Sequence, residues 1–283
     1  MRLGALDVDL LRGSDFRLDG GAMFGIVPKP LWERKFPSDD RNRIALTTNC
    51  LLVRGRDYVA VVEAGIGDDW SAKERDLYAI EGLGALTASL ARHGVAPEDV
   101  DALLLSHLHF DHAGGASWRE EGRFAPVFPR ATLYVQAQEL AHARAPNDRD
   151  RGSYRAQDWE PWAQAGRVEE IRGTAVVRPG VSVVPLPGHN RGMQAIRVES
   201  EGKVLFYFAD ALPTAAHLRP SWTMAYDLYP AELVETKKLL LAQAVSERWL
   251  CVFGHDPQAP WGFLAADGAA YLIDSVPRAE PVF

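Results

Sequence analysis

The most informative part of the sequence is Ser106-His107-Leu108-His109-Phe110-Asp111-His112. It begins on the last residue of the apolar run Asp101–Ser106. Its three histidines and one aspartate lie within six positions. Neutral imidazoles and a carboxylate each need a polar partner when they are buried. Burying this group would therefore be costly unless the side chains shared such a partner. Imidazole nitrogen and carboxylate oxygen are ordinary ligands of zinc and its neighbours. The stretch therefore predicts a metal site at the end of a buried strand.

The spacing of these residues predicts more than one metal ion. His107 and His109 are two positions apart, so an extended backbone would project both to one side. Asp111 and His112 follow where the chain must turn, and 113–115 (AGG) permits a sharp bend. One strand end and one turn could thus supply ligands to two adjacent metals.

Further candidate ligands stand at the ends of other apolar runs. His189 follows VSVVPLPG, Asp210 ends VLFYFAD, and His255 follows LCVFG. Loop residues at strand ends converge in layered folds, which would bring these side chains towards the first motif. A single histidine or aspartate at such a position is more often an ordinary surface residue. Together with the first motif, however, these three residues form a candidate set of metal ligands.

Composition narrows the class of protein. The chain has 283 residues, of which 47% are hydrophobic and 24% charged, and this is ordinary for a globular protein with a sizeable core. A net charge of -7 argues against a nucleic-acid partner. No apolar run reaches the roughly 20 residues of a membrane span, and no leader pattern opens the chain. We therefore expect a cytoplasmic protein without a membrane partner, with Cys50 and Cys251 as buried free thiols.

The apolar patterns predict strands alternating with helices, and hairpins as well. This mixture indicates mixed sheets with outer helices and not a strictly parallel fold, and we expect an α+β protein of a single domain, 1–283. The segment 12–43 is rich in Gly and Pro, so we expect a loop near the active site. The predicted strands are Ile44–Val53, Tyr58–Val62, Asp101–Ser106, Thr132–Val135, Val176–Val177, Val181–Pro185, Gln194–Glu199, Lys203–Phe208 and Leu250–Phe253; the predicted helices are Leu83–His93, Gln138–Ala145 and Ala231–Ser246.

Taken together, these motifs resemble the metallo-β-lactamase-like hydrolase superfamily. They are His-x-His-x-Asp-His, a later Pro-Gly-His, an apolar run ending in Asp, and a final Gly-His, and the resemblance covers Ile44 to the C-terminus. It implies an αβ/βα sandwich of two mixed sheets with a dinuclear site at one edge. It also implies a ligand set: one metal on His107, His109 and His189, the other on Asp111, His112 and His255, with Asp210 bridging both.

Within that superfamily the chain is similar to the quorum-quenching lactonases, including the YtnP-like enzymes. The similarity lies in HLHFDHAGG at 107–115, the DGGAMFG and VPKPLW segments, and WTMAYDLYP at 222–230. It implies a lactonase that opens rings such as those of acyl-homoserine lactones by attack of a hydroxide shared between two metals. Asp111 and Asp210 would be the catalytic carboxylates. The metals would be zinc, with manganese, iron or cobalt also compatible, the partner a small ester or lactone, and a homodimer is possible.

Two departures from the family pattern concern details of the site. Glu63-Ala64-Gly65 stands where Asp-Thr-Gly is usual, so we expect Glu63 to orient a ligating histidine from behind. Pro213 stands where some lactonases have a tyrosine that contacts the substrate carbonyl, and Tyr226 is the substitute we consider. An apolar substrate pocket is also expected, with candidate lining residues Met23, Phe24, Trp32, Phe110, Trp222, Met224 and Tyr226.

Other functions share parts of this pattern. An arylesterase or organophosphate hydrolase would use the same ligands, and so would a thioesterase of the glyoxalase II type, although no basic cluster for a glutathione carboxylate is evident. A phosphodiesterase or nuclease is disfavoured by the net charge. A flavin-partnered di-iron protein usually has Glu at the position of His109. A metal-binding scaffold without activity is the remaining alternative, and metal-dependent turnover would distinguish it.

Overall fold

The computed structural model of the protein describes residues 1–268 and 270–277. Its strands are β1 Arg2–Leu3, β2 Leu6–Asp19, β3 Arg43–Arg54, β4 Val59–Val62, β5 Ala102–Leu104, β6 Ser117–Glu120, β7 Arg123–Pro126, β8 Thr132–Gln136, β9 Val168–Ile171, β10 Ala175–Arg178, β11 Val181–Pro185, β12 Gln194–Ser200, β13 Lys203–Tyr207, β14 Leu250–Val252, β15 Trp261–Asp267 and β16 Ala270–Ser275. Its α-helices are α1 Gly20–Phe24, α2 Lys29–Trp32, α3 Ala72–Tyr78, α4 Ala85–Arg92, α5 Phe110–Ala113, α6 Ala137–Arg144, α7 Ala156–Gln164 and α8 Pro230–Ser246.

The strands form two large mixed sheets and one small hairpin. The first sheet has the order β1-β2-β3-β4-β5-β8-β9, and its β4, β5, β8 and β9 run parallel. The second has the order β10-β11-β12-β13-β14-β15-β16, in which β13 and β14 are the parallel pair. The small hairpin pairs β6 with β7. The predicted α+β class with two mixed sheets and outer helices is confirmed.

The short strand β5 shows why its sequence reads as a continuous apolar run. Ala102 and Leu104 belong to the core between the two sheets, whereas Leu103 packs into the core under the helices of the first sheet. Successive strand residues point to opposite faces, so a strand covered on both sides must be apolar at every position. Such a strand carries no polar side chain until it leaves the sheet, and this is where the histidines begin.

Two layers of helices cover the sandwich from outside. Leu86 and Leu90 of α4, Leu140 of α6 and Trp159 of α7 pack on the outer face of the first sheet. On the other side, Leu233, Leu241 and Ala244 of α8 join the core of the second sheet. The order of layers is therefore helix, sheet, sheet, helix, which leaves the strand ends free at the edges.

The N-terminal segment differs from the sequence-based expectation. The loop predicted over 12–43 is wrong at its start, because β2 continues to Asp19 and pairs with β3. The register shifts between Arg12 and Asp15, where Gly13 lies, and this irregularity breaks the alternation by which a strand is recognised. Short helices α1 and α2 follow. The segment brings Leu18 and Met23 to the cavity described below.

Most other predicted elements agree with the structure to within two residues at either end. Strand Val181–Pro185 matches without change, and the helix predicted over Ala231–Ser246 begins one residue earlier, at Pro230. Helix α4 starts two residues later than predicted, because Gly84 adopts a left-handed conformation directly before its first turn. The prediction that Cys50 and Cys251 are buried free thiols is confirmed. Within the described ranges, no helix is both long and apolar enough to cross a membrane.

Candidate metal centre

Four strand ends meet at one edge of the sandwich. Strand β5 leads into His107, and His109 begins the short helix α5, which carries Asp111 and His112. The second sheet contributes one residue after each of β11, β13 and β14, namely His189, Asp210 and His255. All seven predicted ligands are buried. The structure thus brings together every residue that the sequence singled out as a metal ligand.

The seven side chains form two adjacent groups. His107, His109 and His189 each offer a nitrogen within 4.8 Å of the others, and this is the first group. Asp111, His112, Asp210 and His255 form the second by the same measure. Asp210 lies between the groups, with Oδ1 3.0 Å from His112 Nε2 and Oδ2 3.5 Å from His189 Nε2. This is the arrangement that two neighbouring cations sharing one carboxylate would need.

The outer ring nitrogens of three histidines are held by fixed acceptors. His189 Nδ1 donates to Asp227 Oδ1 at 2.9 Å, and His255 Nδ1 donates to the Thr47 carbonyl at 3.0 Å. His112 Nδ1 faces Glu63 Oε2 at 3.2 Å. Because each Nδ1 is turned outward to an acceptor, each Nε2 faces the cluster and is the nitrogen that would hold a metal.

These inward-facing nitrogens fit a bound cation. His255 Nε2 lies 3.0 Å from His112 Nε2, a distance at which two nitrogens repel unless a proton or a cation lies between them. Two buried inward atoms, His107 Nε2 and Asp210 Oδ1, also lack a hydrogen-bond partner. The short distance from Asp210 Oδ1 to His112 does not have the alignment of a hydrogen bond. Buried polar atoms are rarely left unsatisfied, so the donor set fits divalent metal ions well.

Electrostatics divide the histidines of the cluster into two sets. Against the effect of burial, the Asp210 carboxylate raises the pKa of His112, His189 and His255, so without metal these rings favour binding a proton. Burial lowers the pKa of His107 and of His109 well below the ordinary value, so both rings stay neutral and able to ligate. Although burial opposes it, the imidazoles of His112, His255 and His189 hold the pKa of the Asp210 carboxyl well below its usual range. Asp210 therefore remains an anion, the form in which a carboxylate ligates metal.

Glu63 connects the histidine motif to the neighbouring strand. Its Oε1 accepts the backbone N–H of Ser106 at 2.9 Å, while Oε2 accepts from His112. Its φ of 65° lies in the left-handed region, which is strained for a residue other than glycine. Ala209, directly before Asp210, has a φ of 47°. The longer side chain of Glu63 thus reaches both a ligating histidine and the turn that precedes the motif.

The glycines after the motif serve close packing. A Cβ on Gly114 would lie 2.2 Å from the Ile66 carbonyl, and one on Gly115 would lie 2.3 Å from the Ala64 carbonyl. Gly114 itself has an ordinary right-handed conformation, with φ of -57°. The sharp bend expected over 113–115 therefore does not depend on a left-handed glycine. These positions are small because the 64–67 loop lies against them.

A cavity of about 160 Å³ opens onto the cluster. Among the residues proposed for substrate binding, Met23, Phe110, Met224 and Tyr226 line it. Leu18, Tyr78, Gly152 and Ser153 complete the wall beside the ligands. The wall is mainly apolar, and the lining residues described here include no lysine or arginine.

Phe24, Trp32 and Trp222 do not line this cavity. Phe24 is buried behind it, stacked on Trp32 at 5.3 Å and on the ring of His217 at 4.8 Å. Trp222 packs edge-on against Phe24 and lines a different cavity near Phe36 and Tyr271. Met23 and Phe24 are adjacent in a helix, so only one of them faces the site.

His217 lies beneath the cavity floor and does not reach the ligands. Its Nε2 donates to the Met23 carbonyl at 2.9 Å, and its Nδ1 accepts from the Thr214 hydroxyl at 2.8 Å. Burial, followed by the nearby charge of Lys237, lowers the pKa of His217 to about 3. The folded protein therefore keeps this ring neutral.

This ring makes a specific contribution to acid sensitivity. The unfolded chain binds a proton at His217 below a pH of about 6.5 while the folded chain does not, so stability falls by about 1.4 kcal/mol per pH unit below that value. Between pH 7 and pH 5, the metal-free protein should lose about 2 kcal/mol more unfolding free energy than His217→Gln, which cannot titrate. Urea denaturation at both pH values measures this difference. Equal losses in the two proteins would contradict the assignment.

Several residues that contact the ligands could not be recognised from the sequence. Asp227 lies within the quoted 222–230 segment, but nothing in the pattern marked it as the partner of His189. Tyr154 packs its ring edge-on against His109 at 4.7 Å and donates its hydroxyl to Glu139. Glu139 also accepts the Leu108 N–H at 2.8 Å, which fixes the backbone between two ligands. Such contacts join distant positions and leave no local signal.

The fold and the cluster together define a helix-sheet-sheet-helix sandwich with a histidine–aspartate centre at one edge. The chain belongs to the metallo-beta-lactamase superfamily, which matches residues 43–255. A crystal structure of a probable metal-dependent hydrolase from Staphylococcus aureus superposes with a TM-score of 0.89 at 30% identity, covering 98% of this chain and 100% of that one. The family expected from the sequence motifs is confirmed.

Curated relatives are similar over part of their length. A probable metallo-hydrolase of Mycobacterium tuberculosis is 31% identical over 196 residues, which cover 59% of this chain and 57% of the relative. An N-acyl homoserine lactonase of Bacillus cereus is 31% identical over 170 residues, covering 59% and 60%. The match thus spans less than two thirds of these relatives. The dizinc quorum-quenching lactonase AidC, at 19% identity and a TM-score of 0.80 over 98% of this chain and 96% of that one, shares the fold.

Proposed function

We propose that the protein is a dinuclear metal-dependent hydrolase of small uncharged esters and lactones. The observation that carries the proposal is the pair of adjacent ligand groups joined by Asp210 and opening onto one cavity. His107, His109 and His189 would hold one ion, and Asp111, His112 and His255 the other. Two such ions, when bound, lower the pKa of a shared water towards about 7 and polarise a carbonyl oxygen. Zinc is the expected metal, with manganese, iron and cobalt compatible with the same ligands.

The chain's own residues support this chemistry by fixing the ligands and excluding water. Asp227, Glu63 and the Thr47 carbonyl hold three imidazoles in a single tautomer and orientation. Phe110, packed against Tyr78 at 5.2 Å, forms an apolar wall directly beside Asp111. Asp111 Oδ2 lies 3.4 Å from His255 Nε2 and borders the cavity, so it is placed to pass a proton to a leaving group.

The charge of the cavity favours an uncharged substrate. A glutathione thioester carries carboxylates, and a site for it would need cationic partners. The cavity lining described above offers no lysine or arginine, while Met23, Phe110 and Met224 give it apolar surface. Tyr78 and Tyr226 add hydroxyl groups at the same wall. A lactone or simple ester matches this lining better than an anionic thioester or a phosphodiester.

Lactones are the finer part of the proposal. Relatives named N-acyl homoserine lactonases match 59% of the chain, and the AidC structure is a complex with an acyl-homoserine product. A quorum-quenching role would follow from activity on acyl-homoserine lactones. The ring of such a substrate is compact enough for the cavity beside the ligands, and its acyl chain would extend past Tyr226, which is 37% exposed.

A hydrolysis panel tests the function. The zinc-loaded protein would be assayed with N-hexanoyl-L-homoserine lactone, δ-valerolactone, 4-nitrophenyl acetate, a diethyl aryl phosphotriester and S-lactoylglutathione. We expect turnover of the lactones with kcat/KM of about 10⁴ M⁻¹s⁻¹ or more, the lower end for natural enzymes. Clear activity on the aryl ester or phosphotriester with none on lactones would reject the lactonase assignment. No turnover of any member would reject the hydrolase.

A further inference from the structure

A lysine is buried on helix α8, next to the segment that carries Asp227. Lys237 lies on α8 between Leu233 and Leu241, both of which are in the core, and is only 2% exposed. Its Nζ donates to the backbone carbonyl of Trp222 at 2.6 Å. An ammonium taken out of water is costly, so a residue kept in this position needs a structural reason that an apolar side chain would not supply.

The Trp222 carbonyl begins a tight turn that ends at the metal centre. The turn, 222–227, is closed on itself by Asp227 Oδ2, which accepts the Met224 N–H at 2.7 Å. The other oxygen of Asp227 accepts from His189 Nδ1. A short turn thus has one end bound to Lys237 and the other to a predicted metal ligand. Between these ends, Met224 and Tyr226 face the cavity.

Charge links the two ends of the turn as well. Burial lowers the pKa of Lys237 to about 7, and the carboxylate of Asp227 acts in the opposite direction by favouring the ammonium. No direct ion pair joins them in the described part of the chain, so their attraction acts across the turn. The ammonium also contributes to keeping His217 neutral. Lys237 therefore belongs to a buried polar group that includes Asp227 and His217.

We propose that Lys237 is a positioning residue that sets the metal affinity of the His107, His109 and His189 group by fixing the 222–227 turn. The ammonium holds the Trp222 carbonyl, the turn then holds Asp227, and Asp227 orients the imidazole of His189. Partners one step behind a metal ligand change its affinity by about 10–100-fold, and a group one step further back should act at the lower end of that range. This inference rests on the proposed metal centre but not on the identity of the substrate.

The test is a metal titration that needs no substrate. Zinc affinity would be measured on metal-free protein by competition with a chromophoric chelator, and the cobalt absorption spectrum would report ligand geometry. We expect Lys237→Met to weaken zinc binding at the His107, His109 and His189 group about tenfold, leaving the other binding step unchanged, and to alter the spectrum. Lys237→Arg, which keeps a cation and donors, should recover part of the loss. The matched control is Lys238→Met on the same helix, because Lys238 is exposed and paired with Glu235.

A double-mutant cycle separates positioning from general destabilisation. If Lys237 acts through Asp227, Lys237→Met should have almost no further effect on zinc affinity in an Asp227→Asn background. Additive losses in the cycle would overturn the proposal, and so would unchanged affinity in Lys237→Met itself. If the unsubstituted protein bound no zinc or cobalt, the proposed function would fail first, and the inference with it. If the protein bound zinc but hydrolysed no substrate of the panel, the proposed hydrolase activity would be rejected. The double-mutant cycle would still test the role of Lys237.

Discussion

Replacing Asp210 by asparagine is expected to reduce the metal content from two ions to one or fewer and hydrolysis by about 1,000-fold, equivalent to about 4 kcal/mol of transition-state stabilisation. The carboxylate lies within 3.5 Å of three imidazoles, those of His112, His255 and His189. Its charge would compensate part of the charge of two cations in this buried space, and it is the carboxylate that lies between the two groups. An amide of the same shape keeps the volume but removes that charge.

Metal analysis and kcat/KM for the best substrate of the panel would measure this effect. Asp148→Asn is the matched control, since Asp148 is 96% exposed and its nearest ion-pair partner is the surface residue Arg151. The control should keep full metal content and activity. An Asp210→Asn protein that still bound two ions and kept activity would show that the carboxylate does not bridge the two groups.

Removing the metals is expected to destabilise the fold strongly. At free zinc about a thousandfold above the dissociation constant, bound metal stabilises by about 4 kcal/mol per site, and chelation would abolish this. Because the two sites together contribute about 8 kcal/mol, the unfolding midpoint should fall by about 15 °C. Without metal, Asp210 also remains an anion in a buried space, and the neighbouring His112, His189 and His255 would have to bind protons in place of the metal.

Differential scanning fluorimetry with and without chelator would measure the change. Zinc added in excess of the chelator should restore the midpoint, which distinguishes metal loss from damage by the chelator itself. Asp210→Asn supplies a second comparison, because its midpoint should respond much less to chelation. A midpoint that did not move on chelation in the unsubstituted protein would mean that the fold holds no tightly bound metal.

The ligands could be predicted from the sequence because their positions follow from the burial of strands. A strand covered on both faces is apolar throughout, so His107 after β5 and His255 after β14 stand out where the apolar run stops. Asp210 and His189 are recognisable for the same reason. The partners behind them are different. Asp227 meets His189 across 38 positions and Glu63 meets His112 across 49, and such pairings depend on how loops cross.

The residues that line the substrate pocket could be predicted only in part from the sequence pattern. Met23 and Phe24 are equally apolar, yet Met23 faces the cavity and Phe24 stacks between Trp32 and His217. Which of two neighbours points inward depends on the turn of α1, and five residues carry no readable helical period. Likewise, the second half of β2 could not be recognised from the sequence, because the bulge near Gly13 interrupts the alternation of its side chains. In both cases the deciding contact is tertiary.

Each of the two ligand groups takes residues from both sheets. His109 meets His189 across 80 positions, and His112 meets His255 across 143 positions. Bound ions would therefore join the two sheets across long stretches of chain, but unlike covalent cross-links they are released on unfolding and stabilise the folded state by mass action. The metals would then hold the N-terminal and C-terminal halves of the molecule together, whatever reaction takes place at their surface.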